Sequence, residues 1–175
     1  MSMSFSRRVT AVVLMMAAAL AGGGLANAAD AAGSVNVQSG KLVVTGGSER
    51  NAFFVTGNGG GVFTVSDGQP GASISAGSGC TKTGATTVRC TGVTTSIAVS
   101  TGADNDAVRL RSTNLESTIR GGDGNDLLIG SSTARDLILG DAGDDTLNGS
   151  NPDNLNGGAG VDKCSGTNNK VNCES

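Results

Sequence analysis

Four aspartates recur along the chain at a spacing that is suited to binding a metal ion. They are 20, 19 and 17 residues apart, and each ends a glycine-rich segment: Asp106, Asp126, Asp145 and Asp162. If these segments are turns that stack on one another, the carboxylates lie about 4.8 Å apart, the spacing of neighbouring strands. Carboxylates at that distance repel each other by about 1 kcal/mol in water, and a hard divalent cation between them reverses the sign. Calcium suits such a place because it takes about 6–8 oxygens, backbone carbonyls included.

Nonapeptide repeats are the elements that would hold these carboxylates in position. GGDGNDLLI (121–129) fits the pattern G-G-x-G-x-D-x-U-x, in which U is a large apolar residue, and GDAGDDTLN (140–148) and GGAGVDKCS (157–165) follow it. Weaker copies lie between them at 130–139 and 149–156. The glycines permit a tight turn, and x-U-x is a short strand that sends U inward. We assign the strand position of successive copies to Leu128, Leu137, Leu147 and Leu155.

Two nonapeptides form one coil of a solenoid, so the turns on one edge come from every second repeat. On the first edge these turns begin at Thr101, Gly121, Gly140 and Gly157. Four stacked turns leave three gaps, and each gap is a candidate cation site. The opposite edge is poorer, because Pro152 and altered turn lengths disfavour a site between Asp136 and Asp153, and Val171 stands in the next aspartate place.

The distribution of charge favours metal-binding turns over a flexible glycine-rich linker. Eleven of the fifteen acidic residues lie between Asp104 and Asp162, against four arginines, which gives a local net charge of 4 − 11 = −7. A linker would also have no reason to carry a leucine in every copy. An EF-hand is excluded, because no segment offers D-x-[DN]-x-[DN]-G followed by a glutamate at the twelfth place.

The segment 121–165 resembles the RTX, or hemolysin-type, calcium-binding repeat. The resemblance implies an all-β fold, a parallel β-roll (a β-solenoid) with calcium as the cofactor in its turns. It also implies that the metal-facing groups are turn carbonyls and sixth-place aspartates. Carried over onto this chain, the candidate metal residues are Asp106, Gly121, Asp123, Gly124, Asp126, Gly140, Gly143, Asp145, Gly157, Gly160 and Asp162.

Residues 1–28 are predicted to be an export signal peptide. Two arginines, an apolar stretch over 9–20 and an A-x-A cleavage motif at 26–28 follow one another in the order that such peptides require. The apolar stretch is too short for a membrane span, which needs about 20 residues. We therefore expect a mature chain that begins at Ala29, has no membrane span and is secreted to the extracellular space.

The mature chain has the length of one domain, and its net charge disfavours some classes of binding partner. Without the two arginines of the signal peptide it carries ten basic and fifteen acidic residues, a net charge of 10 − 15 = −5. This balance disfavours nucleic acid and anionic membranes as partners. The expected partners are calcium ions, and the sequence identifies no protein or envelope partner.

An N-terminal β-rich part over 29–100 precedes the calcium-binding part over 101–175. Ser39-Gly40 is suited to close a hairpin between 35–38 and 41–45. The segment 46–53 resembles a decayed nonapeptide, with Asn51 in the aspartate place. Two interpretations remain open for this part. It continues the solenoid, which we favour, or it forms a separate small β-sandwich.

Four cysteines in an exported chain predict disulfides. Of the three pairings, Cys80–Cys90 with Cys164–Cys173 is favoured because both pairs are local. If the nonapeptide frame continues to the end of the chain, Cys164 and Cys173 both occupy a U place, and their bond caps the open end of the roll. Zinc is disfavoured, since the chain has no C-x-x-C spacing and no histidine.

The residue inventory disfavours an enzyme. Without histidine, the Ser-His-Asp, Cys-His and H-E-x-x-H arrangements are all excluded. Paired carboxylates could serve a glycosidase, but the stacked aspartates are accounted for as metal ligands, and no catalytic residue is assigned. We expect a secreted calcium-binding protein in which ion binding drives folding. The alternative is a structural or adhesive cell-envelope protein that uses calcium as a staple.

Overall fold

The computed structural model describes residues 33–150, 152–167 and 169–174, and every regular element in these ranges is a β-strand. The predicted all-β class is therefore confirmed. The predicted signal peptide, 1–28, lies outside the described residues. Within the described ranges there is no helix of sufficient length and apolar character to cross a membrane.

Sixteen strands follow one another in the described residues. In the N-terminal part they are β1 (Gly33–Gln38), β2 (Lys41–Thr45), β3 (Ala52–Gly57), β4 (Phe63–Asp67), β5 (Ile74–Ala76), β6 (Cys80–Lys82), β7 (Thr87–Cys90) and β8 (Ser96–Ala103). The remaining strands are β9 (Ala107–Arg111), β10 (Ser117–Asp123), β11 (Leu127–Ile129), β12 (Asp136–Ala142), β13 (Thr146–Asn148), β14 (Asn154–Ala159), β15 (Lys163–Ser165) and β16 (Asn169–Val171).

The strands form two mixed sheets of eight strands each. One sheet has the order β16-β14-β12-β10-β8-β2-β1-β5, and the other has the order β15-β13-β11-β9-β3-β4-β7-β6. From β8 onward, consecutive strands alternate between the sheets, and each strand pairs in parallel with the strand two places later. Paired residues are 20 apart between β8 and β10 and 19 apart between β10 and β12. The turns therefore stack at the predicted intervals.

The N-terminal strands extend the same two sheets. β2 pairs in parallel with β8, and β3 pairs in parallel with β9. The predicted hairpin is confirmed, since β1 and β2 are antiparallel with Gln38 opposite Lys41, and Ser39 and Gly40 both have positive φ. One buried apolar cluster takes residues from both sheets, from Val35 in β1 to Cys164 in β15.

In each repeat strand the residue that points inward is the predicted one, with one exception. Leu128, Leu147 and Leu155 are buried, but Leu137 is 40 % exposed and Ile138 takes the inward place in β12. The turn before β12 contains one more residue than the nonapeptide allows. Because side chains alternate along a strand, a shift of one residue exchanges the buried and exposed faces.

Both predicted disulfides are formed, Cys80–Cys90 and Cys164–Cys173. The predicted frame around the second one is wrong. β16 pairs with β14 so that Lys170, and not Cys173, is opposite the buried Leu155. The turn before β16 is shortened, so this strand begins three residues earlier than the unbroken frame requires, and Cys173 lies beyond its end.

Candidate metal centre

The four aspartates predicted from the sequence stack in one row along an edge of the two sheets. The parallel register of β9, β11, β13 and β15 aligns the residues that directly precede these strands. Those residues are Asp106, Asp126, Asp145 and Asp162, which we call the aspartate row, and none is more than 3 % exposed. The structure therefore brings four carboxylates together in the interior of the molecule.

Hydrogen bonds connect each member of the aspartate row to the next. The backbone N–H of Asp106 donates to Asp126 Oδ1 at 2.8 Å. The N–H of Asp126 donates to Asp145 Oδ1, and the N–H of Asp145 donates to Asp162 Oδ1, both at 2.8 Å. In each of the last three aspartates, Oδ1 is thus used by the preceding turn, which leaves Oδ2 for another ligand.

Two further residues form hydrogen bonds with the first and last members of the aspartate row. Asn51 occupies the place above Asp106, and its N–H donates to Asp106 Oδ1 at 2.6 Å, while its side-chain amide donates to Asp67 Oδ2 at 3.3 Å. At the other end, the N–H of Asp162 donates to Glu174 Oε2 at 2.5 Å. The sequence pattern identified Asn51, but it did not identify Glu174, because a glutamate near the C-terminus does not fit the repeat.

The second carboxylate oxygens of the row have no hydrogen-bond partner. Within the described residues, the buried polar atoms that lack one include the Oδ2 atoms of all four members of the aspartate row. A buried polar group without a partner costs about 1–3 kcal/mol, and more when it is charged. The four Oδ2 atoms of the row are therefore buried oxygens that could accept a positively charged ligand.

The unpartnered oxygens lie against the first glycine of their own turn. A Cβ placed on Gly121 would be 2.0 Å from Asp126 Oδ2 and 2.7 Å from Gly140 O. A Cβ on Gly140 would be 2.1 Å from Asp145 Oδ2 and 2.3 Å from Gly157 O. At these places a carboxylate oxygen of one turn and a carbonyl oxygen of the next approach a backbone that has no side chain.

The fourth-place glycines lie against carbonyl oxygens of the preceding turns. A Cβ on Gly143 would be 2.1 Å from Gly124 O, and a Cβ on Gly160 would be 2.0 Å from Gly143 O. The φ angles of Gly143 and Gly160 are 131° and 144°, which only glycine adopts readily. Carboxylate and backbone carbonyl oxygens therefore lie close together along this edge, and both are oxygen donors of the kind that calcium prefers.

The first gap differs from the others because Thr101 stands where the next turns have glycine. The buried Thr101 hydroxyl donates to Gly121 O at 2.9 Å. In the next gap the equivalent carbonyl, Gly140 O, faces the bare backbone of Gly121. A protein hydroxyl thus occupies the space between Asp106 and Asp126 that remains free of side chains between Asp126 and Asp145.

Burial changes the acidity of the row. Desolvation of the charged form raises the pKa of Asp106 to about 6, that of Asp126 to about 7 and that of Asp145 to about 6. The N–H donors of the neighbouring turns oppose this shift, and the neighbouring carboxylates add to it. In the metal-free protein these three groups therefore hold protons at a higher pH than an ordinary aspartate.

On the opposite edge of turns, the aspartate carboxylates accept hydrogen bonds from neighbouring residues. Asp136 Oδ1 accepts from the Ser117 hydroxyl at 2.6 Å, and its Oδ2 accepts from the N–H of Ser131 at 2.5 Å. Asp153 Oδ1 accepts from the N–H of Asp136 at 2.8 Å, and its Oδ2 accepts from the N–H of Ser150 at 2.6 Å. All four oxygens have donors, so this edge has no unpartnered carboxylate oxygen like those of the aspartate row.

The predicted ligand Asp123 is not part of the buried row. Its side chain is exposed at the end of β10. A second, exposed ladder lies close by, in which the N–H of Asn125 donates to Asn105 Oδ1 at 2.7 Å and the N–H of Asp144 donates to Asn125 Oδ1 at 2.9 Å. These fifth-place side chains brace the turns from outside, and the repeat pattern did not indicate this because its fifth place is unrestricted.

Within the described ranges, no three His, Cys, Asp or Glu side chains converge on one point. Comparison with models of known protein families, with curated proteins and with solved structures found no match to this chain.

Proposed function

We propose that this chain is a secreted calcium-binding protein that holds calcium ions between successive members of the aspartate row. The observation that carries the proposal is the line of buried Oδ2 atoms without a hydrogen-bond partner, at Asp126, Asp145 and Asp162 above all. The two gaps from Asp126 to Asp162 share one arrangement, in which an unpartnered carboxylate oxygen and a carbonyl oxygen of the next turn both face a first-place glycine. The gap below Asp106 lacks it, because the Thr101 hydroxyl bonds to Gly121 O.

A cation explains the row better than an internal ion pair does. In the described part of the chain, no lysine or arginine forms a salt bridge with the four buried carboxylates, whereas the bridge between Arg120 and Asp141, at 3.1 Å, lies on the surface. An uncompensated buried charge is costly, and each added carboxylate raises the cost. A divalent ion between two neighbouring aspartates of the row offsets the repulsion between their carboxylates.

The donor set favours calcium over other metal ions. Carboxylate and carbonyl oxygens are hard ligands, and soft or borderline metals such as zinc prefer the nitrogen and sulfur ligands that these gaps lack. Magnesium requires a small octahedral cage at about 2.0–2.1 Å, whereas calcium accepts irregular sets at about 2.3–2.6 Å. Backbone carbonyls on stacked turns form an irregular set.

We propose further that the part from β8 onward is a β-roll of the RTX kind. The alternation of strands between two sheets and the parallel pairing at 20, 19 and 17 residues support this interpretation. A roll of this kind has a thin core, which here consists mainly of one apolar side chain from each strand. Calcium would therefore contribute directly to the free energy of folding.

Titration of the chelated protein with calcium tests the proposal. We expect saturable heat of binding in calorimetry and a gain of β signal in circular dichroism, with magnesium a poor substitute. Asp145→Asn should weaken binding by about tenfold or more, since a charged oxygen shared by two gaps is worth about 1.5–3 kcal/mol. Asp144→Asn is the matched control, because Asp144 carries the same charge and is exposed. Absence of calcium binding by the wild-type protein would refute the proposal.

The proposed location outside the cell rests on the predicted signal peptide. The two disulfides, Cys80–Cys90 and Cys164–Cys173, are compatible with an oxidising compartment. Expression with the intact N-terminus in a secreting host should release a protein whose first residue is Ala29. Retention of the full chain inside the cells would contradict this part of the proposal.

A further inference from the structure

The last turn of the row has an open carboxylate but no further repeat to pair with it. Asp162 is fully buried, and its Oδ2 has no hydrogen-bond partner. A Cβ on Gly157 would lie 2.2 Å from this oxygen and 2.1 Å from Asn172 O. Asn172 O thus stands in the place that Gly140 O and Gly157 O take in the gaps above, although the chain around Asn172 has lost the nonapeptide pattern.

Glu174 supplies the missing carboxylate of this terminal gap. Its Oε2 accepts from the N–H of Asp162 at 2.5 Å, as Asp162 Oδ1 accepts from the N–H of Asp145 at 2.8 Å. Its own N–H donates to Asp162 O at 2.9 Å, as the N–H of Lys163 donates to Asp145 O at 2.8 Å. The backbone of Glu174 therefore lies one place beyond an aspartate, and its longer side chain reaches back to the same point.

We infer that Asp162, Glu174 and Asn172 O form an additional calcium site at the C-terminal end of the row. The inference rests on the proposed function and extends it to a gap outside the repeats. Glu174 is exposed, whereas the members of the aspartate row are buried. Water completes the coordination of calcium here, so the terminal site is the weakest of the series.

The disulfide next to this gap positions Glu174 relative to Asp162. Cys173 directly precedes Glu174 and is bonded to Cys164, which is buried two residues after Asp162, with the two Cα atoms 5.8 Å apart. The bond fixes both sides of the terminal gap on the same core. When the bond is reduced, the segment that carries Glu174 loses its covalent link to the core, and we expect the terminal site to be lost while the gaps above remain.

A purely structural role for Glu174, as an acceptor for the N–H of Asp162, makes a different prediction. Glu174→Gln keeps an oxygen acceptor at the same reach and removes only the negative charge. If Glu174 is a ligand, this change leaves the chelated protein as stable as the wild type and lowers only the stabilisation gained from calcium. If Glu174 is only a cap, the change has the same effect with and without calcium.

Equilibrium dialysis of the disulfide-bonded protein against calcium, with thermal unfolding in chelator and in calcium, tests the inference. We expect Glu174→Gln to bind one calcium ion fewer than the wild type, with unchanged thermal stability in chelator. Glu116→Gln is the control for charge, because Glu116 is exposed on the opposite edge, and it should bind the wild-type number. The Cys164→Ser, Cys173→Ser pair should lose the same ion, whereas the Cys80→Ser, Cys90→Ser pair should retain it.

The outcomes separate this inference from the proposed function. A wild-type protein that binds no calcium refutes both. A wild-type protein that binds calcium, together with a Glu174→Gln variant that binds equally many ions equally tightly, refutes only the terminal site. Loss of an ion in Glu174→Gln but not in the variant without the Cys164–Cys173 bond supports the site and refutes its dependence on the disulfide.

Discussion

Thr101 shows how a single side chain can decide the occupancy of a gap. Its hydroxyl donates to Gly121 O, so this carbonyl already has a side-chain partner, whereas Gly140 O in the next gap faces the glycine at 121. Asp106 is accordingly the member of the aspartate row least suited to binding a metal, although it stacks in register with the others. The repeat pattern includes Asp106, but only the identity of the first residue of its turn separates this gap from those below.

We predict that Thr101→Gly opens the first gap. The substitution removes the hydroxyl from Gly121 O and reproduces the first-place glycine of the next three turns, so the variant should bind one calcium ion more than the wild type. Thr101→Ser keeps the hydroxyl and is the control, with the wild-type number expected. Equilibrium dialysis measures both. An unchanged number of ions in Thr101→Gly would show that the hydroxyl does not determine whether this gap binds calcium.

The aspartates on the two edges of turns have different partners. On the first edge, glycines leave buried carboxylate oxygens free for a cation. On the opposite edge, serines occupy the turns, and the hydroxyl of Ser117 and the N–H groups of Ser131 and Ser150 donate to Asp136 and Asp153. The same aspartate place thus gives a candidate metal edge on one side and, on the other, an edge where backbone N–H groups and the Ser117 hydroxyl donate to the carboxylates.

We predict that Ser117→Ala destabilises the protein independently of calcium. The change leaves the buried Asp136 Oδ1 without its donor at 2.6 Å, which should cost about 1–3 kcal/mol. Urea unfolding should show the same loss in chelator and in calcium. Ser132→Ala, an exposed serine in the turn before Asp136, should change stability by less than about 0.5 kcal/mol. A loss confined to the calcium-loaded protein would mean that this edge also holds an ion.

The sequence predicted the regular turns and strands well, because glycine, aspartate and alternating apolar residues each have a direct structural cause. It failed where the length of a turn changes. One extra residue before β12 moved the inward place from Leu137 to Ile138, and a shortened turn before β16 moved Cys173 out of the U place. Glu174 was missed for the same reason, since a longer side chain on a displaced backbone reaches a point that the repeat assigns to aspartate.

At the scale of the whole molecule, the N-terminal and C-terminal parts have different buried cores. Two buried phenylalanines and several valines fill the space between the sheets in the part from β1 to β7. From β9 onward, the buried hydrophobic side chains of the described residues are aliphatic, apart from Cys164. The buried carboxylates of the aspartate row lie in this second part, so their charge acts where the apolar core is thinnest. Its stability should therefore depend strongly on calcium and on pH.

The pH dependence has a definite sign. Four buried carboxyls have raised pKa values, about 7 for Asp126 and about 6 for Asp106, Asp136 and Asp145, against 3.8 for an unperturbed aspartate. Between these values the folded, metal-free protein holds more protons than the unfolded chain, so its stability falls as pH rises. We predict that the thermal midpoint in chelator decreases from about pH 5 to about pH 8, with most of the change below about pH 7.

If calcium binds the aspartate row as proposed, it should reverse this trend, because a cation that binds the ionised carboxylates competes with protons. The rise in thermal midpoint on adding calcium should therefore be larger at about pH 8 than at about pH 5, and binding at about pH 6 should release protons that calorimetry in buffers of different ionisation heat can count. Asp126→Asn removes the group with the most strongly raised pKa and should flatten the pH dependence in chelator. A metal-free protein that became more stable as pH rose through this range would show that the buried carboxyls do not hold protons in the folded state.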